Sequence, residues 1–287
     1  MRQSVKYFFE TITSPAYWRY VLFSRSGLQT VLTIFGGIWL FVESLDFFNI
    51  YTRDQYGSYA FLAVMITSSL LAIIFRRPIR SIEVVFPEND FCLEIRIGDL
   101  FDASGAVMIS TNTIFESDVA GGKIATDSLQ GQFTAKYYTG DQNTLIEEIN
   151  KHLKGLGDSP YPMGTTIPVS THGKTFYFVA MAELNEQGTA GTNLYSVEQA
   201  MRGLWKYVRE SGELQELVVP VVGTARGRLK TSRKKMIEKI ADSFVTASHE
   251  GKFTDRLVIM VRPEDARRFQ VNLYDIKDHL NYTLGRK

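Results

Sequence analysis

The sequence predicts an α/β protein in two parts: a membrane-spanning helical hairpin, then a three-layer α/β/α domain around a mixed, mainly parallel sheet. Two long apolar runs lie close together near the N-terminus. From Phe91 onward, period-two apolar segments alternate with segments of helical spacing, and several strand-like runs end in glycine or small polar residues. At 287 residues there is room for one large domain or for a modest one with an appendage. The expected boundaries are 1–26 for a cytosolic or interfacial lead-in, 27–76 for the hairpin, 77–89 for a connector and 90–287 for the α/β domain.

The first apolar run, Gly27 to Val42, extends through Glu43 and Asp46 to Ile50. The second, Tyr56 to Phe75, holds no charged residue and meets the roughly 20-residue length of a spanning helix. A carboxylate at mid-bilayer costs roughly 2.5–3.5 kcal/mol, but Glu43 and Asp46 fall near a helix end, where the cost is smaller. The first run starts late and lacks a small-residue cleavage pattern, which argues against a signal peptide. Arg19 and Arg25 precede the hairpin, and Arg76, Arg77 and Arg80 follow it, whereas the connection carries only Arg53, offset by Asp54. By the positive-inside rule both termini are cytoplasmic, giving a multi-pass protein of the cell membrane. Residues Ser4 to Ser26 mix aromatic and basic side chains and read either as an interfacial helix or as a plain lead-in.

Beyond the connector, whose apolar centre "IEVVF" is a candidate strand, "FCLEIRI" and "GAVMISTN" read as strands. "QNTLIEEINKHL" puts Leu145, Ile149 and Leu153 on one helical face. "TTIPVST" and "KTFYFVAMAE" read as strands joined through His172-Gly173. A helix is expected from Ser196, with Gln199 completing a capping box. "ELVVPVV" (strand), "TSRKKMIEKIADSFVTASHE" (helix) and "DRLVIMV" (strand) follow, and a mostly helical end opens at Pro263.

Composition narrows the function. A net charge of +1 gives no case for a nucleic-acid binder. The single Cys92 rules out an internal disulfide framework, and the four histidines show no close metal-ligand spacing, so no catalytic cofactor or metal is expected. In sheets of this kind, ligands sit beyond the carboxyl ends of the strands, and three loops fall there. Asp99 and Leu100 follow one strand; the acid either accepts from an exocyclic amine or caps a turn. Asn112 ends the next and is trailed by Gly121 and Gly122, which permit close backbone approach. The third loop, "GTARG", is either ordinary punctuation or an anion cradle in which Gly223 and Gly227 admit a phosphate and Thr224 and Arg226 donate to it.

Together "GDLFDASGAVMISTN", "DVAGGKIA" and "VVPVVGTARGRL" resemble, in that order, the opening and the two glycine loops of macro domains, across roughly Asp90 to Asn281. The resemblance implies an ADP-ribose-like ligand. Asp99 would accept from the adenine amine with Leu100 giving backbone contacts, and Asn112 would address the distal ribose. Gly121 and Gly122 would line one side of the diphosphate, and Gly223, Thr224, Ala225, Arg226 and Gly227 the other. Two membrane helices followed by a macro domain resemble the membrane effector of type II Thoeris anti-phage systems. In that family a partner TIR enzyme makes a signal of ADP-ribose carrying histidine, and the effector self-associates on binding it and disrupts the lipid bilayer.

Two departures from the macro pattern matter. "STN" replaces a paired-Asn segment, which weakens the case for hydrolysis, and Arg226 stands where small or aromatic residues are more usual. A bidentate grip on a diphosphate or carboxylate would suit that arginine. The expectation is a ligand-gated effector rather than an enzyme. The alternatives are a membrane-anchored ADP-ribosyl hydrolase and a tethered ADP-ribose-binding module.

Overall fold

The computed structural model describes residues 9, 11–48, 50, 53–86, 90–184, 190–222, 231–268 and 271–283. It divides into two units, residues 1–79 and 80–287.

In the first unit a short helix α1 (Pro15–Trp18) runs into a π-helical turn, Arg19–Phe23. Ser24 stops that turn in an extended conformation, and its hydroxyl accepts from the Gly27 N–H at 2.9 Å, capping helix α2 (Arg25–Phe47). Helix α3 (Arg53–Phe75) packs back against α2. A ring cluster joins them: Phe35, Trp39 and Phe61 have centroids 5.6–6.4 Å apart. Below it Val31, Val64, Ser68 and Ala72 are buried, and the Ser68 hydroxyl turns back to the Val64 carbonyl at 2.7 Å. At the base of the hairpin the buried Arg76 donates to Thr30 Oγ1 at 3.0 Å. Among the described residues, Gly27–Phe47 is long and apolar enough to cross a bilayer; the apolar stretch Tyr59–Phe75 of α3 has 17 residues.

The second unit is a sheet layered between helices. Its strands are β1 (Ser81–Phe86), β2 (Phe91–Ile97), β3 (Ala106–Asn112), β4 (Thr166–Thr171), β5 (Lys174–Leu184), β6 (Ala190–Gly191), β7 (Glu216–Pro220) and β8 (Arg256–Val261). The order is β1-β2-β8-β7-β3-β5-β4, with β6 on β5. β2, β8, β7, β3 and β5 are mutually parallel, and β1 and β4 are antiparallel edge strands. This is the mixed, mainly parallel sheet expected from sequence. Its central strands are buried on both faces, which is why they read as continuous apolar runs.

Helices α4 (Leu129–Tyr137) and α5 (Gln142–Leu153) cover one face, with Phe133, Leu145 and Ile149 against Phe176 and Phe178. Helices α6 (Leu194–Ser211) and α7 (Arg233–Ser248) cover the other around Trp205, Phe244 and Phe253. Helices α8 (Pro263–Arg268) and α9 (Leu273–Thr283) end the fold. One boundary is corrected and two details are added. α6 starts two residues before Ser196, because Asn193 is the cap and accepts from the Ser196 N–H at 2.8 Å. The C-terminal helical segment is two helices, the second opened by Asn272 Oδ1 accepting from the Tyr274 N–H at 3.0 Å. α4 was not anticipated: Leu129, Phe133 and Tyr137 are its few large apolar residues, set among small and polar ones.

On the face that α4 and α5 leave open at β1, β2 and β8, a charge ladder replaces helix packing. Glu94 is held by Arg96 at 2.7 Å and Arg256 at 2.8 Å, and Arg256 reaches Glu83 at 3.2 Å. Cys92 donates its thiol to Glu83 at 2.8 Å; burial first, then this bond, pushes its pKa up to about 12. Burial raises the Glu94 pKa, but the hydrogen bonds and charges of Arg96 and Arg256 more than offset this and hold it below the ordinary glutamate value. A carboxylate lowered on folding stabilises above its unfolded pKa, and that contribution fades as pH falls through the folded one. Glu94→Gln is therefore expected to melt below the wild type at pH 7, with the gap closing between about pH 5 and the depressed folded value. A gap that stays constant down to pH 3.5 would show that the ladder does not act through the Glu94 charge.

Candidate ligand-binding site

The five parallel strands end along one edge of the sheet, so the segments after β2, β8, β7, β3 and β5 emerge together. Asp99 follows β2 and Asn112 ends β3, with β8 and β7 between them. Three strand spacings separate the two positions by about 14 Å.

Asp99 caps the 3-10 turn Leu100–Asp102, one oxygen accepting from the Phe101 N–H at 2.9 Å. Asp99 is exposed, while Leu100 is only 4% exposed as a residue and belongs to the core.

Asn112 sits at a register shift between β3 and β5 and is only 5% exposed. Two backbone donors converge on its Oδ1, Ile114 N–H at 3.2 Å and Glu116 N–H at 3.0 Å, which identifies that atom as the oxygen. Its Nδ2 donates to no described residue. Asn112 thus shapes the following loop through one atom and keeps a donor in the other.

That loop is closed by its own side chains. Glu116 Oε1 accepts from the N–H groups of Ser117 and Asp118, both at 3.1 Å. Asp118 Oδ1 accepts from the Gly121 N–H at 2.6 Å, and the Gly122 N–H goes to the Val119 carbonyl at 3.1 Å. Gln142 accepts from the Ala120 N–H at 3.3 Å and donates to the Ser117 carbonyl. Gln130 donates to the Glu116 carbonyl at 2.8 Å. Gly122 has φ of +78°, where a side chain would be strained, and a Cβ on Gly121 would lie 2.1 Å from Asp118 Oδ2. Both glycines are exposed, yet their N–H groups are turned to acceptors within the loop. Glu116, Asp118, Gln130 and Gln142 were not singled out from sequence. The one local sign of them was the run of acids, Glu116 and Asp118, just before the glycine pair.

Gly223, Thr224, Ala225, Arg226 and Gly227 lie outside the described residues. The segment that holds them is bracketed at the same edge of the sheet. Before it, the Val221 N–H bonds the Met260 carbonyl at 3.2 Å and Val222 is buried. After it, Ser232 caps α7 by accepting from the Lys235 N–H at 3.2 Å, and the buried Arg233 pairs with Asp265 at 3.4 Å. A strand, a glycine-bearing segment and a helix N-terminus in this order make a general anion-binding arrangement. Among the described residues no group of three or more His, Cys, Asp or Glu side chains is gathered as a metal site.

A family model described as "Thoeris protein ThsA, Macro domain" matches residues 93–262, more than half of the chain. The Thoeris protein ThsA of Bacillus amyloliquefaciens (strain Y2) is 22% identical over 276 residues, covering 89% of each chain. Among solved structures, a mutant Oceanobacillus iheyensis macrodomain with ADPR aligns with a TM-score of 0.50 at 15% identity, over 71% of this chain and 100% of that one. The solved structure bears on fold alone.

Proposed function

The chain belongs to the Thoeris ThsA macro-domain family, and from that premise we propose that it is a ligand-gated membrane effector whose macro domain binds an ADP-ribose-type signal. The observation that carries this reading is the strand order, which puts Asp99 and Asn112 at one sheet edge three strand spacings apart, about 14 Å at the usual spacing. Between them lie the ends of β8 and β7, and α7 is the helix that follows β7 in the chain. An extended dinucleotide-like ligand fits that span. Its adenine amine would meet the Asp99 carboxylate, its diphosphate the glycine segments and the α7 N-terminus, and its distal ribose the Asn112 amide. A histidine-bearing ADP-ribose, supplied by a TIR-domain partner, would add a carboxylate for Arg226 to hold. Binding rather than hydrolysis is supported by the surroundings of Asn112, whose oxygen is engaged only by backbone donors.

The bilayer is the second partner. Leu32, Leu40, Phe41, Leu62, Ile66 and Leu70 of the hairpin are each more than half exposed, a surface suited to acyl chains. The 23 residues of α3 measure about 34 Å, enough for both helices to span with the two termini in the cytoplasm. The ligand would drive self-association, and through it membrane disruption, only by its differential affinity for the two states.

The test uses the full chain in phosphatidylethanolamine–phosphatidylglycerol vesicles loaded with a self-quenched dye. Histidine-ADP-ribose is expected to release dye at concentrations where calorimetry in nanodiscs shows binding, and ADP-ribose to do so more weakly or not at all. Binding without release would make the protein a tethered module. Absence of binding by either compound would overturn the reading of the site.

A further inference from the structure

We propose that Asp118 is an internal competitor for the ligand's phosphate, holding the first glycine loop shut until an anion displaces it. The inference rests on the reading of this edge as an anion-binding site. Alongside Gln142 of α5, three side chains from the end of β3 and the loop itself act as acceptors for its N–H groups, and these three are not equally committed. Asn112 is buried and accepts two N–H groups. Glu116 accepts two, is 19% exposed at its side chain, and pairs with Lys123 at 3.1 Å. Asp118 accepts one, from Gly121, is 33% exposed, and stands 3.9 Å from Lys123. It is the most accessible of the three and gives up the fewest bonds on leaving.

The position it occupies is the one a phosphate oxygen would need. The Gly121 N–H points at Asp118 Oδ1 at 2.6 Å, and Asp118 Oδ2 fills the space where a Cβ on Gly121 would stand. A phosphate brought to this N–H meets a carboxylate of the same sign at hydrogen-bond range, so the two occupy the site in alternation. On Asp118 leaving, the Gly121 donor is freed and Lys123 loses one of its two carboxylate neighbours. The observed affinity is then the intrinsic affinity reduced by the fraction of loops that are open.

Asp118→Asn and Asp118→Ala in the full chain, held in phosphatidylethanolamine–phosphatidylglycerol nanodiscs, test this by calorimetry with ADP-ribose and with inorganic pyrophosphate. The asparagine variant decides, because it keeps an acceptor for the Gly121 N–H and removes only the charge. Both variants are expected to bind both probes more tightly than the wild type, roughly tenfold for an open fraction of about one in ten. Binding by a variant where the wild type binds nothing supports the proposal in stronger form. Unchanged or weaker binding by Asp118→Asn, with the wild type binding normally, makes Asp118 a turn cap and overturns the proposal while the reading of the site stands. No binding by any of the three proteins defeats both together. Melting curves confirm that each variant is folded.

Discussion

Asn112→Asp is expected to leave the α/β domain folded while weakening ADP-ribose binding by roughly 30- to 150-fold, ~2–3 kcal/mol. The substitution keeps an oxygen for the N–H groups of Ile114 and Glu116, so the loop after β3 retains its two bonds. What disappears is the Nδ2 donor, replaced by a charged acceptor that can only receive from a ribose hydroxyl and that repels the nearby phosphates. Asn112→Ala removes both functions. It should weaken binding at least as much and also lower stability by about 1–3 kcal/mol, the cost of stranding buried donors. Calorimetry paired with thermal melting separates the two. Affinity unchanged in Asn112→Asp would show that Asn112 serves the loop alone and that the distal ribose is held elsewhere.

Trp205→Ala should cost the domain ~3–5 kcal/mol, a large share of the 5–15 kcal/mol typical of a folded protein. The indole is 2% exposed, meets Phe244 and Phe253 at 5.6 and 5.8 Å, and donates Nε1–H to Ser243 Oγ at 2.9 Å. It joins α6 to α7, and α7 begins at the proposed diphosphate position, so its loss should loosen the site as well as the core. Trp205→Phe keeps a ring against both neighbours and should cost about half as much. Chemical denaturation of the full chain in detergent, followed by near-ultraviolet circular dichroism, measures both. A midpoint within experimental error of the wild type for Trp205→Ala would mean that the aromatic cluster adds little to the packing of this face.

Much of the fold was legible. α5 spans Gln142–Leu153 as read, because Leu145, Ile149 and Leu153 recur at helical spacing and all three are buried. β4 and β5 turn at His172 and Gly173, whose φ values of 52° and 71° suit a tight hairpin. The misreadings were local contests among similar signals. Asn193 and Ser196 are both good caps, and spacing alone does not choose between them; the structure caps at Asn193. The site was less legible. Asp99 and Asn112 could be placed at strand ends, but whether their oxygens bind ligand or cap backbone depends on neighbours that spacing does not identify. Gly121 and Gly122 could be read as places of close backbone approach, but that their N–H groups are bonded to Asp118 and Val119 within the loop was not legible.

The sequence by itself determined the kinds of element and their order along the chain. Strand alternation, helical spacing and long uncharged apolar runs are written in residues a few positions apart, and the backbone responds to them locally. It likewise determined which side chains were available, with one cysteine, scattered histidines and glycines set after strands. Only the tertiary structure decided the order β2-β8-β7-β3, which sets Asp99 and Asn112 along a single edge with the ends of β8 and β7 between them. It alone decided that Arg256, 162 positions along the chain from Glu94, completes the charge ladder on β2. Such pairings come from burying apolar faces against one another and from satisfying polar groups across that packing. The energy of each contact belongs to two distant residues jointly, so neither carries it as a signal of its own.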